Sequence, residues 1–209
     1  MKPCPGTPFC NSLNEDTRRI LCKAARRVEV PRKTIVLADF KSHLEIIQHG
    51  LIALFHLGSS LGPAPHLIAG TGDVLGIPAL VDDRDWNVQM EHPILTVKCI
   101  IPHDAIRTPL EEDAQFVRAL LRYFAISAVR VAHYSYMMHT QGAEQRLAHL
   151  AEILQSFSIG MNELTHERIA LLTGLTRGTV TRALGVLEKS SESELKSDIT
   201  DPTGVGLSS

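Results

Sequence analysis

Two groups of residues in this sequence have types and spacings that can do chemistry: the cysteines Cys4, Cys10, Cys22 and Cys99, and the arginines Arg177 and Arg182. A cysteine works through its thiolate, as a nucleophile, a redox group or a soft metal ligand. Cys4 and Cys10 stand with five residues between them, a spacing that allows a reversible thiol–disulfide switch. Cys22 and Cys99 lie in helical or apolar runs, where cysteine is often a small buried hydrophobe. A structural disulfide framework explains them poorly. The N-terminus is broken by prolines and soon becomes charged, so it reads as neither signal nor transit peptide, and the expected compartment is the reducing cytoplasm.

The arginines belong to the segment Leu164–Leu184, which reads as a helix-turn-helix. Thr165 can cap a first helix that buries Ile169, Ala170 and Leu172, and Gly174 permits a tight turn. Thr176 can cap a second helix that buries Val180, Ala183 and Leu184. Arg177, Gly178, Thr181 and Arg182 are then left outward near its start, where this motif meets base edges. The arginine fork matches guanine O6 and N7. The hydroxyls of Thr165, Thr176 and Thr179, with the backbone N–H groups beside them, can position phosphates. The competing reading is a helical hairpin with solvated arginines.

Other elements must hold these residues in place. From about residue 28 to 108 the chain alternates β-rich runs (34–37, 43–47, 51–55, 95–101) with glycine and proline breaks, including an expected hairpin tip at 58–63. Many short strands at even spacing predict a small antiparallel barrel or roll. Residues 111–140 hold no proline or glycine and open with Glu111, Glu112 and Asp113, which predicts a long helix ended by Gly142. A 3.5-residue spacing picks out Val117, Leu121, Phe124, Ala128, Val131, Ser135 and Met138, six of the seven apolar. That seam suits a dimer contact of coiled-coil type, and equally a helix packed on its own domain. A shorter amphipathic helix follows. The last twenty residues are polar and acidic, a composition that does not build a core.

Composition is that of an ordinary globular protein: 209 residues, 44% hydrophobic, with 21 Lys+Arg against 23 Asp+Glu. No uncharged apolar run approaches the roughly 18 residues of a membrane span, and any basic character is local. No nucleophile elbow, Walker loop or His-Glu-x-x-His is present, so no enzyme is expected. Gly70-Thr71-Gly72-Asp73-Val74-Leu75-Gly76 lies among β-runs and opens no helix. It is a turn, not a nucleotide loop.

The Thr-Arg-x-Thr-Val-Thr-Arg of 176–182, with the roll and long helix before it, resembles the CRP/FNR superfamily of transcription regulators, and its recognition helix is similar to the NtcA branch. The resemblance covers most of the chain. It implies an α+β fold: a cyclic-nucleotide-binding-like β-roll over 1–110, a long dimerisation helix over 111–141, and a helix-turn-helix domain over 142–209. It also implies a homodimer on a palindromic operator, Arg177 and Arg182 as base readers, and a contact with RNA polymerase. The glutamate that many members use against cytosine would fall at Gly178. After Leu187-Glu188 a serine-rich tail stands where the wing is expected, so the wing is short or degenerate.

The family's cyclic-nucleotide cassette is not matched. Ile77 replaces its glutamate, and Asp85-Trp86 stands where Arg-Ser is required, with Arg84 one place away. The cysteines resemble those of the oxygen-sensing branch. Cys4 and Cys10 match the spacing of its last N-terminal pair, and Cys99 opens Cys99-Ile100-Ile101-Pro102 at the matching point. With Cys22 as the spare, this implies a [4Fe-4S] cluster and an oxygen or redox response. A thiol switch, a metabolite effector such as 2-oxoglutarate, and a β-roll interaction protein that no longer binds DNA remain the alternatives. Haem on His43, His49, His56 or His66 is disfavoured, since scattered strand histidines usually face solvent.

Overall fold

A computed structural model describes residues 6–57, 64–82, 87–140 and 142–187. Cys4, the expected hairpin tip at 58–63, the cassette positions 84–86 and everything from 188 onward, wing and tail included, lie outside the described residues.

The chain opens with α1 (Pro8–Asn11) and α2 (Glu15–Ala24). Asn14 caps α2 by accepting from the Thr17 N–H at 2.8 Å, with Glu15 and Asp16 in the first turn and Lys23 in the last. Eight strands follow: β1 (Arg26–Val30), β2 (Ile35–Leu37), β3 (His43–His49), β4 (Leu51–His56), β5 (Leu67–Gly70), β6 (Val74–Leu75), β7 (Val88–Glu91) and β8 (Thr96–Pro102). They form two antiparallel sheets, β1-β8-β3-β6 and β2-β7-β4-β5. Gly50 turns β3 into β4 at φ +111, and a Cβ there would lie 2.7 Å from the Leu95 carbonyl oxygen, so only glycine fits.

The roll interior is built by Ile47, Ile52, Leu67, Ala69, Leu75 and Met90. The outer face of the first sheet is covered as well. Leu44, Ile46, Cys99 and Ile101 pack there against Phe9, Leu21, Ile106, Phe116 and Leu120. That double cover explains why Leu44, Glu45, Ile46 and Ile47 are buried in succession instead of alternating.

The helical half departs from the sequence expectation in three places. A helix α3 (His103–Glu112) precedes the long one and contains Pro109, ahead of the expected helix start at 111. Asp113 then breaks the chain from helical geometry, and α4 runs Ala114–Thr140. The Asp113 carboxylate accepts from the Gln115 and Phe116 N–H groups at 2.9 and 3.2 Å, and from Asn14 and the Thr17 hydroxyl on α2. Gly142, expected to end the long helix, instead sits at the N-cap of α5 (Ala143–Ser156) with extended backbone.

The remaining helices are α6 (His166–Thr173) and α7, residues 177–187. Their apolar faces do not form a separate core. Leu150, Leu154, Ile169, Leu172 and Val180 join Leu51, Ala53 and Ile68 of the roll and Tyr134 and Met137 of α4 in one cluster.

Candidate nucleic-acid interface

Local chemistry builds the α6–α7 unit. Thr165 caps α6 by accepting from the Arg168 N–H, and Gly174 ends it in the left-handed region at φ +63, ψ +21. The Leu175 N–H returns to the Ala170 carbonyl at 3.1 Å, closing the turn. Thr176 caps α7 by accepting from the Thr179 N–H at 3.2 Å. Val180 and Ala183 point into the core, while Thr176, Arg177, Gly178, Thr181 and Arg182 are exposed and Thr179 is half-buried. Thr165 is exposed beside them.

Not every exposed polar group on that face is equally available. The Thr181 hydroxyl donates to the Arg177 carbonyl at 3.0 Å and meets His166 Nδ1 at 2.9 Å. The Thr176 and Thr179 hydroxyls meet each other at 2.9 Å. The Arg177 and Arg182 side chains make no hydrogen bond or ion pair among the described residues, and no acidic residue occurs from 177 to 187. The arrangement presents two unengaged guanidinium forks on one helix face, the geometry that base or phosphate recognition requires.

No sequence pattern signals the contacts that hold this unit against the rest of the molecule. Arg168 of α6 pairs with the buried Glu91 at the end of β7. The Tyr134 hydroxyl of α4 donates to the Leu172 carbonyl, and Arg146 of α5 donates to the Thr173 carbonyl at 3.2 Å. Arg130 of α4 ties the elements together. It pairs with Asp73 at 2.5 Å and lies over the Phe157 ring at 5.0 Å. These partners stand far apart in sequence, Arg130 and Asp73 by 57 residues, and belong to different elements, so no local pattern could have indicated them.

The long helix divides the expected seam. Leu121, Phe124 and Ala128 are exposed and Val117 is half-buried, but Val131 packs on the roll interior and Met138 on the core shared with α6. The exposed apolar face of α4 therefore consists of Leu121, Phe124, Ala125, Ala128, Val129, Ala132 and Tyr136, with Leu121 60% and Val129 70% exposed. Its buried face, Phe116, Leu120, Tyr134 and Met137, packs on its own chain.

Three of the four cysteines come together. Cys10 and Cys99, both buried, and the exposed Cys22 line one small apolar cavity with Leu21, Ile46 and Ile101. The Thr7 hydroxyl donates to Cys10 Sγ at 3.4 Å. The cavity measures about 20 Å³, room for about one water. Among the described residues no group of three or more His, Cys, Asp or Glu is set to hold a metal ion. As arranged, these thiols do not fit a [4Fe-4S] cluster.

The histidines also differ from expectation. His56 and His66 stack at the mouth of the β4–β5 hairpin, with ring centroids 4.7 Å apart, and line a larger cavity between the roll and α4. Burial, helped by the His56 charge, pushes the His66 pKa down to about 4.

No protein-family model matches the chain, and no curated protein matches it by sequence. Solved structures match its fold. FixK2 from Bradyrhizobium japonicum aligns at 18% identity over 80% of this chain and 86% of its own, with a TM-score of 0.66. A protein from Eubacterium rectale described as a transcriptional regulator of the CRP/FNR family aligns at 18% identity over 88% and 87%, with a TM-score of 0.64. The c-di-GMP-responsive global regulator CLP from Xanthomonas campestris aligns at 13% identity over 85% and 93%, with a TM-score of 0.63. The chain thus has the α+β fold of these regulators: an antiparallel β-roll, a long helix and a C-terminal helical domain. No helix among the described residues is long and apolar enough to cross a membrane.

Proposed function

We propose that this protein is a sequence-specific DNA-binding transcription regulator of the CRP/FNR type, acting as a homodimer on a palindromic operator and catalysing no reaction. The observation that carries the reading is α7, with Arg177 and Arg182 exposed and unengaged on a helix whose other face is locked into the core. The fold shared with FixK2 and CLP supports it. The same reading puts the protein in the cytoplasm, with RNA polymerase as its second macromolecular partner.

Its test is selection of duplexes from a random pool with the purified full chain at fixed salt, since affinities for DNA mean little without it. The expected product is an inverted repeat whose half-sites lie about one helical turn, roughly 10 bp, apart. Enrichment of no sequence would overturn the reading and leave a β-roll interaction protein. The proposed redox response is carried by the thiols of Cys10, Cys22 and Cys99, of which the exposed Cys22 meets an oxidant first. Repeating the titration with peroxide-treated and then thiol-reduced protein tests it. Equal operator affinity in both states would remove redox sensing and leave DNA recognition standing.

The dimer is formed by the exposed apolar face of α4, too large a patch to leave in water. Leu121→Glu with Val129→Glu buries two carboxylates against their symmetry mates. In sedimentation the variant is expected at half the mass of the wild type, with operator affinity at least a hundredfold weaker. An unchanged mass would place the dimer contact elsewhere.

A further inference from the structure

Arg177 and Arg182 stand exposed on α7, and residues 177–187 hold no Asp or Glu to neutralise them. Gly178 and Gly185, four residues before Arg182 and three after it, share its side of the helix. A Cβ built at Gly185 meets nothing within 4 Å, so a carboxylate can close on the Arg182 fork along that side. The chain that follows α7 is of opposite charge. Residues 188–209 carry Glu188, Glu192, Glu194, Asp198 and Asp201 against Lys189 and Lys196. Guanidinium and carboxylate pair through two parallel N–H···O bonds, among the stronger contacts two side chains make. The second basic surface, around Arg26, Arg27 and Arg32, already has Glu29 paired with Arg27, whereas α7 has no carboxylate of its own.

We propose that the acidic segment 188–209 turns back along α7 and pairs its carboxylates with Arg177 and Arg182, so that the protein covers its own anion-reading face until DNA displaces the segment. Length supports this as well as charge. At about 1.5 Å of rise per residue, Arg182 lies about 8 Å and Arg177 about 15 Å along the axis from Leu187. A serine-rich coil of seven residues spans about 15 Å on average, and one of five residues about 12 Å. Glu194 therefore reaches Arg177, and Glu192 reaches Arg182. An attached segment whose average span matches the separation competes at its highest effective concentration. Each exposed pair contributes a factor of about 1.5 to 5 and is screened by salt. The contact stands on charge and reach; that the covered face reads DNA rests on the regulator proposal.

The test is arginine labelling of the full chain with phenylglyoxal, without DNA, read residue by residue by mass spectrometry. The wild type is compared with a variant carrying Glu192→Gln, Glu194→Gln, Asp198→Asn and Asp201→Asn, after matching circular dichroism spectra show that both are folded alike. At about 20 mM salt, where charges are little screened, Arg177 and Arg182 are expected to react at least threefold faster in the variant. At about 0.5 M salt the difference is expected to vanish, with Arg26, Arg27 and Arg32 unchanged throughout. Equal labelling of Arg177 and Arg182 in the two proteins overturns the proposal. So does a gain confined to Arg26, Arg27 and Arg32, which would seat the segment on that surface instead. The consequence is read separately: the variant is expected to bind the selected operator at least threefold tighter at the lower salt. Tighter binding with unchanged labelling would mean plain repulsion between segment and DNA, and removes the contact while leaving the regulator reading in place. Labelling as expected in a protein that selects no duplex does the reverse.

Discussion

Replacing Arg177 or Arg182 by alanine is expected to abolish operator preference while leaving weak, salt-sensitive DNA binding. Each guanidinium engaged with a guanine edge contributes about 1–3 kcal/mol of discrimination. A two-fold-symmetric complex uses each arginine twice, so a single substitution removes about 2–6 kcal/mol, roughly thirtyfold to ten-thousandfold in specific affinity. Folding is spared, because both side chains are exposed and neither has a partner among the described residues. The loss is specific: if the arginines read bases, the slope of log affinity against log salt barely changes. If they only neutralise phosphates, each drops the slope by about one per contact and weakens all sequences alike. The check is a titration of the selected operator and a scrambled duplex at several salt concentrations. Retention of the operator-to-scrambled ratio in both variants would show that α7 is not the reading helix.

The α6–α7 unit was legible in the sequence because its determinants are local. The caps Thr165 and Thr176, the left-handed Gly174 and the buried Ile169, Leu172 and Val180 lie within sixteen residues of one another (Thr165 to Val180), and each acts on its nearest neighbours. The strand runs were legible for the same reason. The start of the long helix was misplaced because Asp113, expected in its first turn, is instead its cap, anchored by Asn14 and Thr17, 99 and 96 residues away. Pro109 sits inside α3, where it forgoes one i→i−4 hydrogen bond, so a proline does not mark where the helical region begins. The seam divides between two faces of α4. A 3.5-residue count finds apolar positions on α4 but cannot say which of them the roll takes, and it takes Val131. The His56–His66 pair was missed because strand position alone does not distinguish a histidine facing solvent from one facing a cavity under α4.

The largest effect on stability is expected from Lys98→Met. Lys98 on β8 and Glu45 on β3 form an ion pair at 2.7 Å with both side chains almost fully buried. The second Glu45 oxygen meets His43 Nε2 at 3.2 Å. Burial by itself would raise the Glu45 pKa, but the His43 hydrogen bond and the Lys98 charge outweigh it and hold the carboxyl below its ordinary value. The neighbouring His92 is held below its own ordinary value chiefly by burial. Removing the lysine leaves a buried carboxylate without its main partner, a change that costs about 3–5 kcal/mol. Urea unfolding at pH 7 reads this as a lower midpoint at constant m. The pH dependence carries a sign that distinguishes the cause. A lowered folded pKa stabilises the wild type above the unfolded carboxyl value, about 4.3, and that contribution fades as pH falls toward the folded value. In Lys98→Met burial dominates and raises the folded pKa, so protonation relieves the penalty and the variant gains relative to wild type on acidification from pH 7 to about 4.5. A gap that stays constant across that window would mean the loss is one of packing rather than charge. The double substitution Glu45→Met with Lys98→Met removes both charges and is expected to recover most of the stability, because an apolar pair of similar volume replaces a desolvated ion pair at little net cost. If the double variant is as unstable as the single one, the pair holds the two strands through its hydrogen-bond geometry, not through mutual charge compensation.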